Sequence, residues 1–126
     1  MEISAVGVSA TDLSHAVAFY SLLGFSFPPF DEGAEHVESS NPGARLMIDT
    51  AELLTGLLGE PPRPGTTAAF AVRCPTPGQV DGLVTRVSAA GHTVVTAAYD
   101  APWGQRYATV ADPDGYRVDL YAVLSG

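Results

Sequence analysis

The chain has 126 residues, 46% of them hydrophobic, and a chain of this length forms one globular domain whose core needs no covalent staples. Fourteen acidic against six basic residues give a formal charge of −8, which argues against a nucleic-acid footprint and favours cationic or neutral partners. A single cysteine, Cys74, excludes a disulfide framework and fits a reducing compartment, and no apolar run is long enough to span a bilayer, so the expected setting is soluble and cytoplasmic, with no membrane partner.

Ile3 to Ala10 reads as a short apolar strand, and Thr11 or Asp12 supplies the N-cap of a helix. Leu13, Ala16, Val17, Tyr20 and Leu23 recur at helical spacing as far as Gly24, a helix stop. The acidic run "DEGAEHVESS", with Asp31, Glu32, Glu35 and Glu38, reads as a solvated loop that contains His36. Asn41-Pro42-Gly43 is a turn, and in "ARLMIDT" Leu46 and Ile48 alternate with Arg45, Met47 and Asp49 as they do in a strand. Beyond a proline-rich join at residues 59–66 the same order restarts. "TAAFAVRC" is a strand, "TPGQVDGLVTRVSAAG" a helix with Val80, Leu83, Val84 and Val87 inward, "HTVVTAAYD" a strand, and "YATVADPDGYRVDLYA" a hairpin. The chain therefore reads as one domain, 1–126, that holds one module twice, at about 1–58 and 67–126. Gly43, Arg45, Leu46, Met47 and Ile48 superpose on Gly115, Arg117, Val118, Asp119 and Leu120.

In the last hairpin, pairing Ala111 with Tyr116 sets Thr109 opposite Val118 and Tyr107 opposite Leu120, and gathers Arg106, Ala108, Asp119 and Tyr121 on the other face. Asp119 then has two readings: partner of Arg106 in a cross-strand ion pair, or polar anchor of a ligand in an otherwise apolar cleft. Trp103, the only tryptophan, stands in the loop "DAPWGQR", either as a plug over the core or as a flat wall that grips an aromatic ligand. Tyr99 just upstream, and Phe27 and Phe30 in the Pro-Pro segment, would add ring surface, whereas Phe19, Tyr20 and Phe70 occupy periodic core positions. No serine or threonine stands in a glycine-bracketed elbow, and no phosphate-cradling glycine loop precedes a helix.

The stretches "TDLSHAVAFYSLLGF" (11–25), "VDGLVTRVSAAG" (80–91) and "PWGQRYATVADPDGYRVDLYA" (102–122), with the repeated order of elements, resemble the vicinal oxygen chelate superfamily. That superfamily groups glyoxalase I, extradiol dioxygenases, fosfomycin-resistance enzymes and bleomycin-resistance proteins. The resemblance implies an α+β fold of two tandem βαβββ modules whose curved mixed sheets form a concave cleft, eight strands in all, usually in a homodimer. It also implies metal ligands on the first and last strands of each module, positions that fall here on Ala5, Met47, Thr67 and Asp119. Asp119 alone is a carboxylate, and a transition-metal site needs three or four nitrogen, oxygen or thiolate donors, which His15, His36 and His92 do not supply. No metal or other cofactor is expected. The branch that fits is the bleomycin-resistance-like one, a metal-free protein that binds an aromatic or cationic small molecule and sequesters an antibiotic or related natural product. Its ligand-binding residues would be Trp103, Arg106, Asp119, Tyr121, Tyr99, Met47, Phe30 and Phe27, with no catalytic ones. The alternatives are a lyase, isomerase or dioxygenase with a non-standard metal site or acid/base chemistry at Asp119, and an interaction module with no ligand of its own. An Asp beside Arg106 is a poor general base, which lowers the enzymatic reading.

Overall fold

A computed structural model describes residues 1–125, and the chain divides into two compact units, Met1–Pro64 and a second from Gly65 onward. Each unit is α+β and built on a mixed sheet.

The first unit runs β1 (Ala5–Ala10), α1 (Leu13–Leu22), β2 (His36–Glu38), β3 (Arg45–Thr50) and α2 (Ala51–Leu58). β3 lies in the middle, parallel to β1 and antiparallel to β2. Parallel neighbours require a crossover, and α1 provides it. The helix starts where the Asp12 carboxylate accepts the His15 N–H. Val8, Ala10, Val37, Leu46 and Ile48 are buried on one face of the sheet, together with Leu13, Ala16, Phe19 and Tyr20 of α1. The opposite face carries Gly7, Met47, His36, Glu38 and Asp49.

The second unit runs β4 (Ala68–Arg73), α3 (Pro77–Ala89), β5 (Thr93–Ala101), β6 (Gln105–Ala111) and β7 (Arg117–Val123), in the sheet order β4-β7-β6-β5. A capping box between Thr76 and Gln79, with Pro77 in the first turn, starts α3. Val80, Leu83 and Val87 of that helix are buried with Ala108, Val110, Val118, Leu120 and Ala122 of the sheet. α3 packs on β5, β6 and β7, so the other face of these strands is left open by the helix.

The repeat seen in the sequence is a repeat of pairing. β3 lies between a parallel and an antiparallel neighbour in the first unit, and β7 does the same in the second. Met47 has Gly7 beside it, as Asp119 has Ala71.

Three features depart from the expectation. There are seven strands among the described residues, not eight, because the stretch that corresponds to β5 in the first unit contains Pro28 and Pro29, which donate no ladder hydrogen bonds. What remains of that strand is Ser26, whose carbonyl accepts the Ser40 N–H at 2.8 Å and whose N–H donates to the Asn41 side chain at 2.6 Å. His36 is not in a loop but opens β2. Residues 51–58 form α2, capped by Thr50 on the Leu53 N–H and closed by Gly59 at φ +82°, with none of its residues fully buried. Among the described residues no helix is long and apolar enough to cross a membrane.

Candidate functional site

The β6–β7 ladder pairs Ala111 with Arg117, Val110 with Val118, Thr109 with Asp119, Ala108 with Leu120, Tyr107 with Tyr121 and Arg106 with Ala122. The expected pairing of Ala111 with Tyr116 is therefore wrong by one residue. The reversal keeps Tyr116 for itself: the buried Asp112 carboxylate accepts the N–H of Asp114 and of Tyr116, each at 2.9 Å, and the Asp112 N–H donates to the Tyr116 carbonyl. A slip of one residue turns every side chain to the other face. Asp119 consequently shares its face with Tyr107, Thr109 and Tyr121, while Arg106 stands on the side of α3.

Arg106 is thus removed from the neighbourhood it was expected to share with Asp119. Its guanidinium donates to Asp81 of α3 at 2.8 and 3.2 Å and to Asp100 of β5 at 3.1 Å, an anchor between helix and sheet edge. The Asp119 carboxylate instead accepts the Tyr107 hydroxyl at 2.5 Å and the Thr109 hydroxyl at 2.6 Å. Burial, followed by the bond to Asp119, pushes the Tyr107 phenol up to about 12, so it stays protonated.

Around Tyr107 the aromatic side chains collect. Trp103 meets it edge-on at 5.4 Å and 80°, Tyr99 at 6.4 Å and 61°, and Tyr121 lies nearly parallel to it at 6.3 Å and 23°. Trp103 is 59% exposed, which rules out a core plug, and Tyr99 is 38% exposed. Chain geometry puts the indole there: Pro102, Trp103 and Gly104 form the loop between Ala101 and Gln105, closed by a 3.0 Å bond from the Gly104 N–H to the Ala101 carbonyl. Gly104 takes the left-handed position of this loop at φ +85°, where a side chain would be strained. The indole N–H donates to Gln105 at 3.0 Å, which fixes the ring's tilt. β4 adds the small Ala71 beside Asp119 and the exposed Arg73 beside Tyr121.

The structure thus brings together Tyr99, Trp103, Asp119 and Tyr121. Met47, Phe27 and Phe30 belong to the first unit, where Phe30 lines a cavity of about 410 Å³ with Asp12, His15, Glu32 and Thr50. Sequence reasoning missed Tyr107 and Thr109, although the buried alternation of Ala108 and Val110 against Val118 and Leu120 carries the register that selects them.

On the face of the first unit's sheet opposite Val8, Leu46 and Ile48, His36 stands between two carboxylates, Asp49 at 2.6 Å and Glu38 at 2.8 Å, and Glu38 also accepts from Arg45 at 2.6 Å. The bonds to Glu38 and then Asp49 raise the His36 pKa above its ordinary value.

In neither unit do the strand positions singled out by the resemblance supply the donors of a transition-metal site. The lateral neighbours of Met47 and Asp119 are Gly7 and Ala71, not Ala5 and Thr67, because the registers place Ala5 beside Arg45 and start β4 at Ala68. Gly7 and Ala71 have no side-chain donor, and among the described residues no three His, Cys, Asp or Glu side chains form a group able to hold a metal ion.

The sequence model of the Glyoxalase/Bleomycin resistance protein/Dioxygenase superfamily matches residues 2–120. The chain belongs to this superfamily. No curated protein matches the sequence. Solved structures that resemble it do so at low identity and share the glyoxalase-superfamily fold. A glyoxalase-related enzyme from Fulvimarina pelagi is 24% identical with a TM-score of 0.83, over 97% of this chain and 88% of that one. The hypothetical protein SA1046 from S. aureus is 19% identical with a TM-score of 0.81, over 97% and 94%. A lactoylglutathione lyase from Agrobacterium tumefaciens is 20% identical with a TM-score of 0.72, over 96% and 92%.

Proposed function

We propose that this superfamily member is a metal-free binding protein of the bleomycin-resistance kind, a cytoplasmic homodimer that sequesters an antibiotic or related natural product without converting it. The observation that supports this most is the open face of β5, β6 and β7, where the exposed rings of Trp103 and Tyr99 flank Tyr107 beside one hydrogen-bonded carboxylate, Asp119. Exposed rings with a few placed polar groups are what a flat organic ligand needs: stacking supplies affinity and the polar groups supply orientation.

Acid/base catalysis by Asp119 is less favoured, because both of its oxygens already accept hydroxyl hydrogens at 2.5 and 2.6 Å. The dimer is proposed from the sheet edges. β5 is a nine-residue edge strand with Asp100 as its single charge, and association is one way to cover such an edge.

The test uses the only tryptophan as its reporter. A library of aromatic natural products is titrated against the protein while Trp103 fluorescence is followed, and each hit is measured by calorimetry against the Trp103→Ala variant. Loss of the indole should weaken binding by roughly 1 to 3 kcal/mol, the scale for a buried aromatic contact. A library with no hit, or hits that bind Trp103→Ala equally well, would remove the reading.

A further inference from the structure

We propose that the open face of the second unit selects hydrogen-bond donors, so that its ligand is an aromatic body bearing a cationic N–H group such as an amidine or guanidine. This rests on the binding role proposed above and narrows it to a class of chemistry.

A carboxylate can only accept hydrogen bonds, whereas a hydroxyl can donate or accept. The bonds at 2.5 and 2.6 Å to Asp119 therefore fix the direction of both hydroxyls: Tyr107 and Thr109 each point their hydrogen at the carboxylate. What these hydroxyls offer to any further partner is lone pairs. Asp119, Tyr107 and Thr109 thus form a contiguous patch of acceptors between β6 and β7, and an approaching carbonyl or carboxylate meets no donor on it. The elevated pKa of Tyr107 keeps its hydrogen in place across the physiological range.

The surroundings point the same way. Ala71 flanks Asp119 on the β4 side with only a methyl group, which leaves that side of the carboxylate accessible. The rings of Trp103, Tyr99 and Tyr121 present electron-rich faces, which attract cations. Two arginines border this face: Arg117 donates to the Thr66 carbonyl at 2.8 Å, and Arg73 stands beside Tyr121. They make an anionic probe the proper control. The hydroxyls of Tyr99 and Tyr121 are not oriented by Asp119 and are free to adapt to the ligand's rim.

The experiment uses 2-naphthamidine and 2-naphthoate, which share a ring system and have opposite hydrogen-bond polarity. Both are titrated against the full chain, with Trp103 fluorescence as readout, at about 0.5 M salt to screen the general negative charge. The expected result is binding of naphthamidine at least about tenfold tighter than naphthoate, the scale for hydrogen bonds to a charged group. Asp119→Asn should reduce that preference to about threefold or less, because a carboxamide donates as well as accepts and releases both hydroxyls. Thr109→Val removes one acceptor at nearly constant shape and should lower the preference severalfold, which keeps the test available if Asp119→Asn fails to fold. Equal binding of the two probes, or tighter binding of naphthoate, overturns donor selection and leaves the binding face standing. A preference that survives both substitutions overturns the role given to Asp119. No fluorescence response to either probe overturns donor selection and the binding face together.

Discussion

Thr109 and Asp119 face each other across the β6–β7 ladder, and the threonine hydroxyl donates to the carboxylate at 2.6 Å. The pair sits on the open face of the sheet, so it contributes to stability and also defines the polarity of the surface. Thr109→Val should cost about 1 to 3 kcal/mol in urea unfolding, the range for a hydrogen bond to a charged group. Arg106→Leu breaks ion pairs with Asp81 and Asp100, whose carboxylates are both exposed, and should shift the urea midpoint less than Thr109→Val does. The reverse order would mean that the anchor of Arg106 on α3 and β5 outweighs the Thr109–Asp119 bond.

The His36 network has a definite pH signature. Its bonds to Glu38 and Asp49 raise the His36 pKa in the folded chain above the ordinary 6.5, so the folded state holds this proton more tightly than the unfolded one. The stabilisation is complete below pH 6.5 and is lost as pH rises through the raised value. Melting temperatures of the wild type and His36→Gln, compared from about pH 6 to about pH 9, should differ most at the acid end and converge at the alkaline end. A difference that grows with pH would contradict the network.

Gly104 fixes the loop that displays Trp103. At φ +85° an added side chain is strained, so Gly104→Ala should lower stability by roughly 1 to 2 kcal/mol and shift the tryptophan emission, as the indole loses its bond to Gln105. Unchanged emission would show that the loop does not set the ring's position.

The proposed metal-free state predicts an equally plain result. Elemental analysis of untagged protein should find no stoichiometric transition metal, and a chelator should leave the melting temperature unchanged, since only a ligand bound to the native state can raise it. A tight one-to-one metal would contradict the metal-free reading and make Asp119 and His36 the first residues to substitute.

Much of the architecture was legible because it rests on periodicity. Leu13, Ala16 and Tyr20, and Val80, Leu83 and Val87, repeat at helical spacing and are buried as that spacing requires. The strands Arg45–Thr50 and Arg117–Val123 alternate cleanly, and the repeat of order between the halves follows from them. The segments that misled are short or polar. In β2, Val37 is the only apolar residue among three, and its neighbours His36 and Glu38 are held by side-chain bonds that leave no pattern in sequence. The eight residues of α2 are too few to show a period, although Thr50 and Gly59 mark its ends. The hairpin register failed for a different reason. Whether Asp112 to Tyr116 turns with Tyr116 inside or outside depends on two backbone bonds to one carboxylate, and that choice decides the face of Asp119. The neighbourhood of the candidate site was therefore legible in part: Trp103, Tyr99, Asp119 and Tyr121 were named and lie together, Arg106 was put on the wrong face, and Tyr107 and Thr109 were missed.

The most direct measurement of the central claim is a two-dimensional amide and indole NMR titration of the labelled protein with a compound that alters Trp103 fluorescence. If the open face of β5, β6 and β7 is the binding site, the Trp103 indole N–H and the amides of Tyr99, Tyr107, Thr109, Asp119 and Tyr121 will shift together and saturate at one affinity. Shifts confined to other residues, or shifts that leave Trp103 and Asp119 in place at saturation, would contradict the account.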